Sequence, residues 1–221
     1  MEPVVVLLIV IAFAGLFAFA LYAAAKRRKE LGQWAAQRGL RFDSSSSYDM
    51  DSRYPDFKSL HQGRSRHAYN IITGTLGERR ITAFDYKYTT GSGKNKSTHT
   101  FSAMIVQSPI PLKPLYIRRE HFFDKITEFF GADDIDFESA EFSRKFFVKS
   151  TDKKWAYDVL HQRMMEYLLT TPKYSIQMSG DSIIAWSTLT FKPDEFQSAF
   201  DTIEGVIERF PEYLVKQQTE R

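Results

Sequence analysis

Five histidines are the side chains of this sequence best suited to bind a metal ion or to transfer protons: His61, His67, His99, His121 and His161. No two of them have the i, i+4 spacing of ligands on one helix, and the sequence has no His-Glu-x-x-His motif. The 221 residues include no cysteine, which excludes disulfides, thiol nucleophiles and thiolate metal ligands. The sequence therefore predicts neither a metal site nor a cofactor.

The densest group of carboxylates is formed by Asp133, Asp134, Asp136 and Glu138. Alternate acidic residues can ligate calcium, but the glycine and the terminal glutamate of an EF-hand loop are missing here. We expect these side chains to lie on a solvated turn that follows a helix.

A glycine-rich segment, Gly91-Ser92-Gly93-Lys94, resembles a phosphate-binding loop only in composition. It lacks the Gly-x-x-x-x-Gly-Lys-Ser/Thr spacing, and it joins two predicted antiparallel strands, whereas a phosphate loop joins a strand to a helix. It is therefore predicted to be the tip of a hairpin. Four serines lack the strand–turn–helix context of a nucleophile elbow and are not predicted to be nucleophiles: Ser65, Ser102, Ser175 and Ser182.

An aromatic strand, residues 84–88, follows Arg79 and Arg80, and such a combination can stack on nucleic-acid bases. Alternate burial along a strand gives the same composition without any ligand. The sequence therefore predicts no nucleic-acid partner. No catalytic motif stands out, so a binding role is favoured over an enzymatic one.

The N-terminus carries an apolar run, residues 4–25, that is 22 residues long and free of charge. As a helix it would be about 33 Å long, close to the hydrocarbon thickness of a bilayer. A cleaved signal peptide is the alternative, because Ala23-Ala24-Ala25 resembles a cleavage site; however, no cation precedes the run. We therefore predict a transmembrane anchor, residues 1–25, that contacts the lipid bilayer through residues 4–25.

Four contiguous cations follow the anchor: Lys26, Arg27, Arg28 and Lys29. Because Lys and Arg beside a span are retained on the cytoplasmic side, the N-terminus is predicted to lie outside the cell and the body in the cytoplasm, below the inner membrane.

The net charge of +3 is unevenly distributed, with +3 in residues 1–39, +6 in residues 40–120 and −6 in residues 121–221. A basic surface beside an anchor is attracted to an anionic leaflet. We predict membrane-surface contacts by Lys94 and Lys96 together with the four cations after the anchor. The alternative is that these charges are ordinary solvated strand faces.

The body after the anchor is predicted to be α+β. A juxtamembrane basic helix, residues 26–39, precedes a single domain, residues 40–213, and a tail, residues 214–221. Strands at 68–73, 80–89 and 100–107, joined by glycine-containing turns, predict an antiparallel sheet that ends at Pro109, Pro111 and Pro114.

Three amphipathic helices are predicted to pack with this sheet, at residues 122–130, from Asp152 to Pro172, and from Pro193 onward, where Phe200 and Ile203 lie on the buried face. Between the last two, residues 174–186 are predicted to form a hairpin that turns at Gly180.

Two segments resemble elements of bacterial membrane-anchored proteins. "FSRKFFVKSTDKKWAYDVLHQRMMEYLL" (142–169) followed by "YSIQMSGDSIIAW" (174–186) is similar to a module of a domain-of-unknown-function family, and "NIITGTLGERRITAFDYKYTT" (70–90) resembles a second element of small single-pass proteins. The resemblance covers about half of the chain and implies a bacterial, membrane-tethered domain without an assigned activity.

The predicted function is thus a non-catalytic, membrane-tethered domain that binds a partner protein or an anionic lipid surface. An enzyme that acts on a membrane-derived substrate in a cleft is the alternative.

Overall fold

The computed structural model describes residues 3–119, 135–172 and 174–219. Its first element, α1, runs without a break from Pro3 to Ala36. The predicted anchor and juxtamembrane helix are therefore one continuous helix, consistent with a segment rich in Ala, Leu, Lys and Arg and free of proline after its first residue. The chain then turns at Gly39, whose φ of +67° is the left-handed conformation that glycine adopts after helices.

The described residues form six strands in one antiparallel sheet: β1 (Arg41–Asp43), β2 (Arg64–Leu76), β3 (Arg79–Thr90), β4 (Ser97–Arg119), β5 (Phe146–Ser150) and β6 (Ser175–Trp186). The first four are neighbours in chain order. The long strand β4 lies at the centre. One edge of β4 pairs first with β3 and then with β5, and its other edge pairs with β6.

The prediction that prolines end the sheet is wrong, because β4 continues through Pro109, Pro111 and Pro114. The prolines are tolerated because the ladder to β6 is irregular there, with register shifts on both sides of the Leu112 pair. The partner of Leu112 is Gly180, whose φ is +60°. The predicted hairpin at 174–186 is therefore also wrong: β6 is one strand that bends beside the bend of β4.

Helices follow the central strand: α3 (Ala140–Lys145), α4 (Lys153–Val159), α5 (Gln162–Thr170), α6 (Pro193–Ile207) and α7 (Glu212–Thr219). The third predicted amphipathic helix is confirmed as α6, in which Phe200 and Ile203 are buried. The helix predicted after Asp152 begins there but breaks at Leu160, so it is two helices. The predicted tail is also wrong, because Leu214 is buried and lies on α7.

The predicted helix at 122–130 and the residues Asp133 and Asp134 lie outside the described residues.

Each face of the sheet carries its own apolar core. The larger core lies between the sheet and a layer that includes α4 to α7 and the end of α1, which contributes Leu31, Trp34 and Ala35. The smaller core is covered by a loop that includes a short helix, α2 (Met50–Arg53), and a 3-10 turn (Lys58–His61). The architecture is the predicted α+β fold with a largely antiparallel sheet.

Candidate functional site

The anchor helix is tied to the sheet by Arg27. Its guanidinium donates from Nε to Oδ2 of Asp85 at 2.8 Å and from Nη2 to Oδ1 at 2.6 Å, and Nη1 donates to the carbonyl of Phe191 at 2.8 Å. Such a bidentate ion pair fixes the orientation of the guanidinium relative to the carboxylate as well as the distance between them. The predicted membrane-surface role of Arg27 therefore needs correction: its guanidinium is directed into the body.

The carboxylate of Asp85 is fully buried on the larger-core face of β3. It also accepts hydrogen bonds from Asn70 Nδ2 at 2.8 Å and from the hydroxyl of Ser102 at 2.5 Å. These two partners come from β2 and β4, so three adjacent strands converge on the arginine of α1. The desolvation cost of a buried carboxylate can be offset only where a charged partner and further donors satisfy it, and Asp85 has both.

Electrostatics at this junction follow from burial and from the charge of Asp85. Burial alone would lower the pKa of Arg27, but the hydrogen bond and charge of Asp85 raise it above its ordinary value. Burial raises the pKa of Tyr69 to about 12; the charge of Asp85 adds to this effect and that of Arg27 opposes it. Both groups therefore keep their folded-state protonation across the physiological pH range.

The contacts of α1 show which end of the sheet faces the anchor. Arg27 lies beside Asp85, whereas Gly32, further along α1, lies against Phe42, whose neighbour Ile72 pairs with Ala83. As α1 crosses from β3 toward β1 it moves away from the C-terminal end of β3, so the loop between β3 and β4 lies on the side from which the anchor leaves. This loop carries Lys94 and Lys96, both exposed.

Other cations share this end of the body. The exposed ones near the anchor and the loop are Lys26, Arg28, Lys29, Arg64, Lys87, Lys94 and Lys96. By contrast, Arg66 and Arg79 form partly buried ion pairs with Asp51 and Glu204. The positive block of the sequence therefore divides into a set bound within the body and a set at the anchor end, which we call the basic end.

A groove of about 470 Å³ opens at the same end of the sheet, beside β4. Tyr88, Phe101 and Trp186 contribute aromatic surface, and Thr98, Thr100 and Ser187 also line the groove. His99 stacks on Tyr88 with ring centroids 4.8 Å apart. The groove combines aromatic surface with polar groups, a combination typical of ligand-binding sites.

The remaining sequence candidates are dispersed. In the described part of the chain, no group of three or more His, Asp or Glu side chains is placed to hold a metal ion. His161 Nε2 lies 2.9 Å from the carbonyl of Arg209, whereas His99 stacks on Tyr88. Phe84 and Tyr86 of the aromatic strand are buried in the smaller core.

The sequence did not single out Arg27, because it is one of four adjacent cations. Asp85 did carry a signal, since a carboxylate amid buried aromatic residues requires a charged or donor partner.

Comparison with known proteins identifies a structural neighbour. No family model matches the chain, and no curated protein matches it. Among solved structures, the fold is similar to that of the mycobacterial trehalose monomycolate transport factor A, TtfA, with a TM-score of 0.60 and 13% sequence identity. The similarity covers 82% of this chain and 92% of TtfA. At this identity the comparison shows a shared fold.

The described residues include one helix long and apolar enough to cross a membrane, α1. None of its most apolar part is buried against the body, unlike the core helix of a soluble protein. An exposed apolar span of this kind supports a membrane location.

Proposed function

We propose that this protein is a single-pass, membrane-tethered binding domain whose cytoplasmic body rests its basic end on the anionic inner leaflet. The observation that carries the proposal is the bond between Arg27 and Asp85, two residues after the apolar span. It holds the body directly beneath the anchor, so that the loop with Lys94 and Lys96 faces the lipid.

The orientation rests on the cations that follow the span. Lys26, Arg28 and Lys29 are exposed, and Arg27 is charged as well, so all four favour retention on the cytoplasmic side. The assignment to a bacterial inner membrane rests on the resemblance of segments 70–90 and 142–186 to bacterial single-pass proteins, and it is part of the proposal.

Weak contacts are enough to hold the basic end on the anionic leaflet. Each cation at the surface of an anionic leaflet contributes about 1 kcal/mol, and the field decays within about 8 Å at physiological salt. The anchor keeps the effective concentration of the surface high, so a few such contacts suffice. Arg27 does not contribute, because its charge is already compensated by Asp85.

The structural neighbour gives independent support for a role other than catalysis. Its name describes a factor in the transport of trehalose monomycolate, which suggests a component that binds or assembles. An enzyme on a membrane-derived substrate remains the alternative hypothesis; it requires turnover of a lipid-derived compound by the purified protein.

The absence of cysteine in the chain allows a direct test with single-cysteine variants. Asn95→Cys lies between the two lysines and leaves both charges in place. Labelled with a fluorophore in the full-length protein in nanodiscs, it should be shielded from a water-soluble quencher by anionic lipid at low salt, and the shielding should fall as salt rises.

Added to this variant, Lys94→Glu with Lys96→Glu should remove the shielding. The matched control is Lys153→Glu with Lys154→Glu, the same charge change at exposed positions of α4, and it should have no effect. Equal quenching in anionic and neutral nanodiscs at low salt would refute the lipid contact.

A further inference from the structure

The outer edge of β4 is open at the basic end of the body. The ladder between β4 and β6 ends at the pair Ala103–Trp186. Beyond it, Ser102 still receives a hydrogen bond from Ser187 N at 3.4 Å and donates one to Leu189 O at 3.2 Å. Residues 97–101 of β4 continue toward the loop with β3 on one side only.

The contacts of Ser102 show which main-chain groups point outward. Because N–H and C=O groups of alternate residues point to the same side of a strand, Thr100 and Thr98 present theirs on the same edge as Ser102. Both threonines are exposed, and within the described residues neither has a main-chain partner on that edge. Two donors and two acceptors are therefore arranged as in a strand that awaits a neighbour.

The groove beside this edge determines the character of a binding partner. Its aromatic surface comes from Tyr88, Phe101 and Trp186, and none of its lining residues is Asp, Glu, Lys or Arg. Uncharged side chains therefore suit the groove. Lys96, exposed at the end of the edge, suits a carboxylate.

We propose that an extended peptide segment of a partner protein adds to this edge as a strand, pairing with Thr98 and Thr100. An uncharged, preferably aromatic, side chain of the segment enters the groove, and an acidic residue lies beside Lys96. Strand addition takes affinity from main-chain hydrogen bonds and specificity from the pocket beside them. This inference rests on the proposed binding role but not on the lipid contact.

The test uses the full-length protein in nanodiscs and a blocked synthetic octapeptide of alternating threonine and valine, with one central phenylalanine and a glutamate at one end. Its counterpart is the same peptide with alternate main-chain amides N-methylated. The first peptide should slow hydrogen exchange at the amides of Thr98 and Thr100. The second should bind about tenfold more weakly or worse, because two hydrogen bonds are lost.

Two variants at position 100 distinguish the contribution of the main-chain N–H to peptide binding from that of the side chain. Thr100→Pro removes the outward N–H and should weaken peptide binding about as much as N-methylation does, whereas Thr100→Val keeps the N–H and should bind normally. Since the peptide comparison uses unaltered protein, it decides the matter even where the proline variant fails to fold.

Equal binding of the two peptides, or no protection of Thr98 and Thr100 by either, would overturn the inference. Protection of these amides by a neutral disaccharide such as trehalose but not by the peptide would overturn it in favour of a sugar site. Failure of the lipid contact would appear in the quenching of labelled Asn95→Cys and would leave peptide binding unchanged.

Discussion

The guanidinium of Arg27 and the carboxylate of Asp85 meet through hydrogen bonds of 2.8 and 2.6 Å, although 58 residues separate them in the chain. Asp85 is fully buried, whereas the side chain of Arg27 retains 24% of its exposure. The pair therefore lies at the boundary of the body, at the point where the anchor helix leaves it.

Arg27→Gln should destabilise the protein by about 3–5 kcal/mol, because it leaves a buried carboxylate without a counterion. Denaturant unfolding of the full-length protein in micelles, followed by tryptophan fluorescence, measures this. Asp85→Asn added to Arg27→Gln should recover part of the loss. Arg28→Gln, at an exposed neighbour, should change stability by no more than about 0.5 kcal/mol. A similar effect at Arg27 and Arg28 would contradict the buried pair.

The soluble body should need the end of α1. Leu31 is fully buried and Trp34 is 5% exposed, so a chain that starts at residue 40 lacks two large core side chains, each worth about 2–5 kcal/mol. We expect a chain that starts at Lys26 to give dispersed NMR spectra and a cooperative melt. A chain that starts at residue 40 should aggregate or remain partly unfolded. Equal stability of the two would show that α1 is dispensable to the core.

Phe200→Asp and Ile203→Asp should each cost several kcal/mol, because a charge is forced into the apolar layer between α6 and the sheet. Asp201→Asn changes an exposed neighbour on the same helix and serves as the control. Thermal melts of the full-length protein should show large losses for the first two variants only. An unchanged melting temperature for Phe200→Asp would mean that this face does not pack on the sheet.

Alkaline pH should destabilise the junction through Tyr69, whose pKa is raised to about 12 from the ordinary value of 10. Because the folded state favours the neutral phenol, the contribution to stability is complete below pH 10 and is lost as pH rises toward 12. Melts between pH 9 and 12, with absorbance of ionised tyrosine, would record the decline. In Tyr69→Phe the decline should be shallower; an identical profile would assign it to other tyrosines.

Protease added outside intact spheroplasts should leave the body uncut, because the proposed orientation, based on the cations after the span, places the body in the cytoplasm. The same protease should digest the body once the membrane is permeabilised. Fragments of residues 40–219 that appear without permeabilisation would reverse the orientation and favour the export alternative.

Patterns with a short repeat predicted their elements well. The helical spacing around Phe200 predicted α6, and the alternation along residues 80–89 predicted β3. Such patterns can be recognised in the sequence because apolar residues recur at the buried positions of a helix or strand.

The effects of proline and glycine within strands were harder to predict. Prolines normally end a strand, yet Pro109, Pro111 and Pro114 lie within β4, because the ladder to β6 is irregular beside them. Gly180 suggested a hairpin turn, and its left-handed conformation instead bends β6 at the same level. In both places the outcome depends on the partner strand, which no local pattern describes.

The candidate site was predicted only in part. The loop with Lys94 and Lys96 was predicted as an exposed hairpin tip, which the structure confirms. Which cation turns inward depends on the rotation of α1 over the sheet, and the open edge of β4 depends on where β6 ends. Both are tertiary relationships.

Because the helix from Pro3 to Ala36 is unbroken, the tilt of α1 in the membrane sets the orientation of the body. With no hinge between span and core, any tilt that α1 adopts to match the thickness of its bilayer rotates the whole sheet by the same angle. A thicker or thinner membrane would thus raise or lower the open edge of β4 relative to the lipid, and lipid composition would set the height at which a partner strand is met.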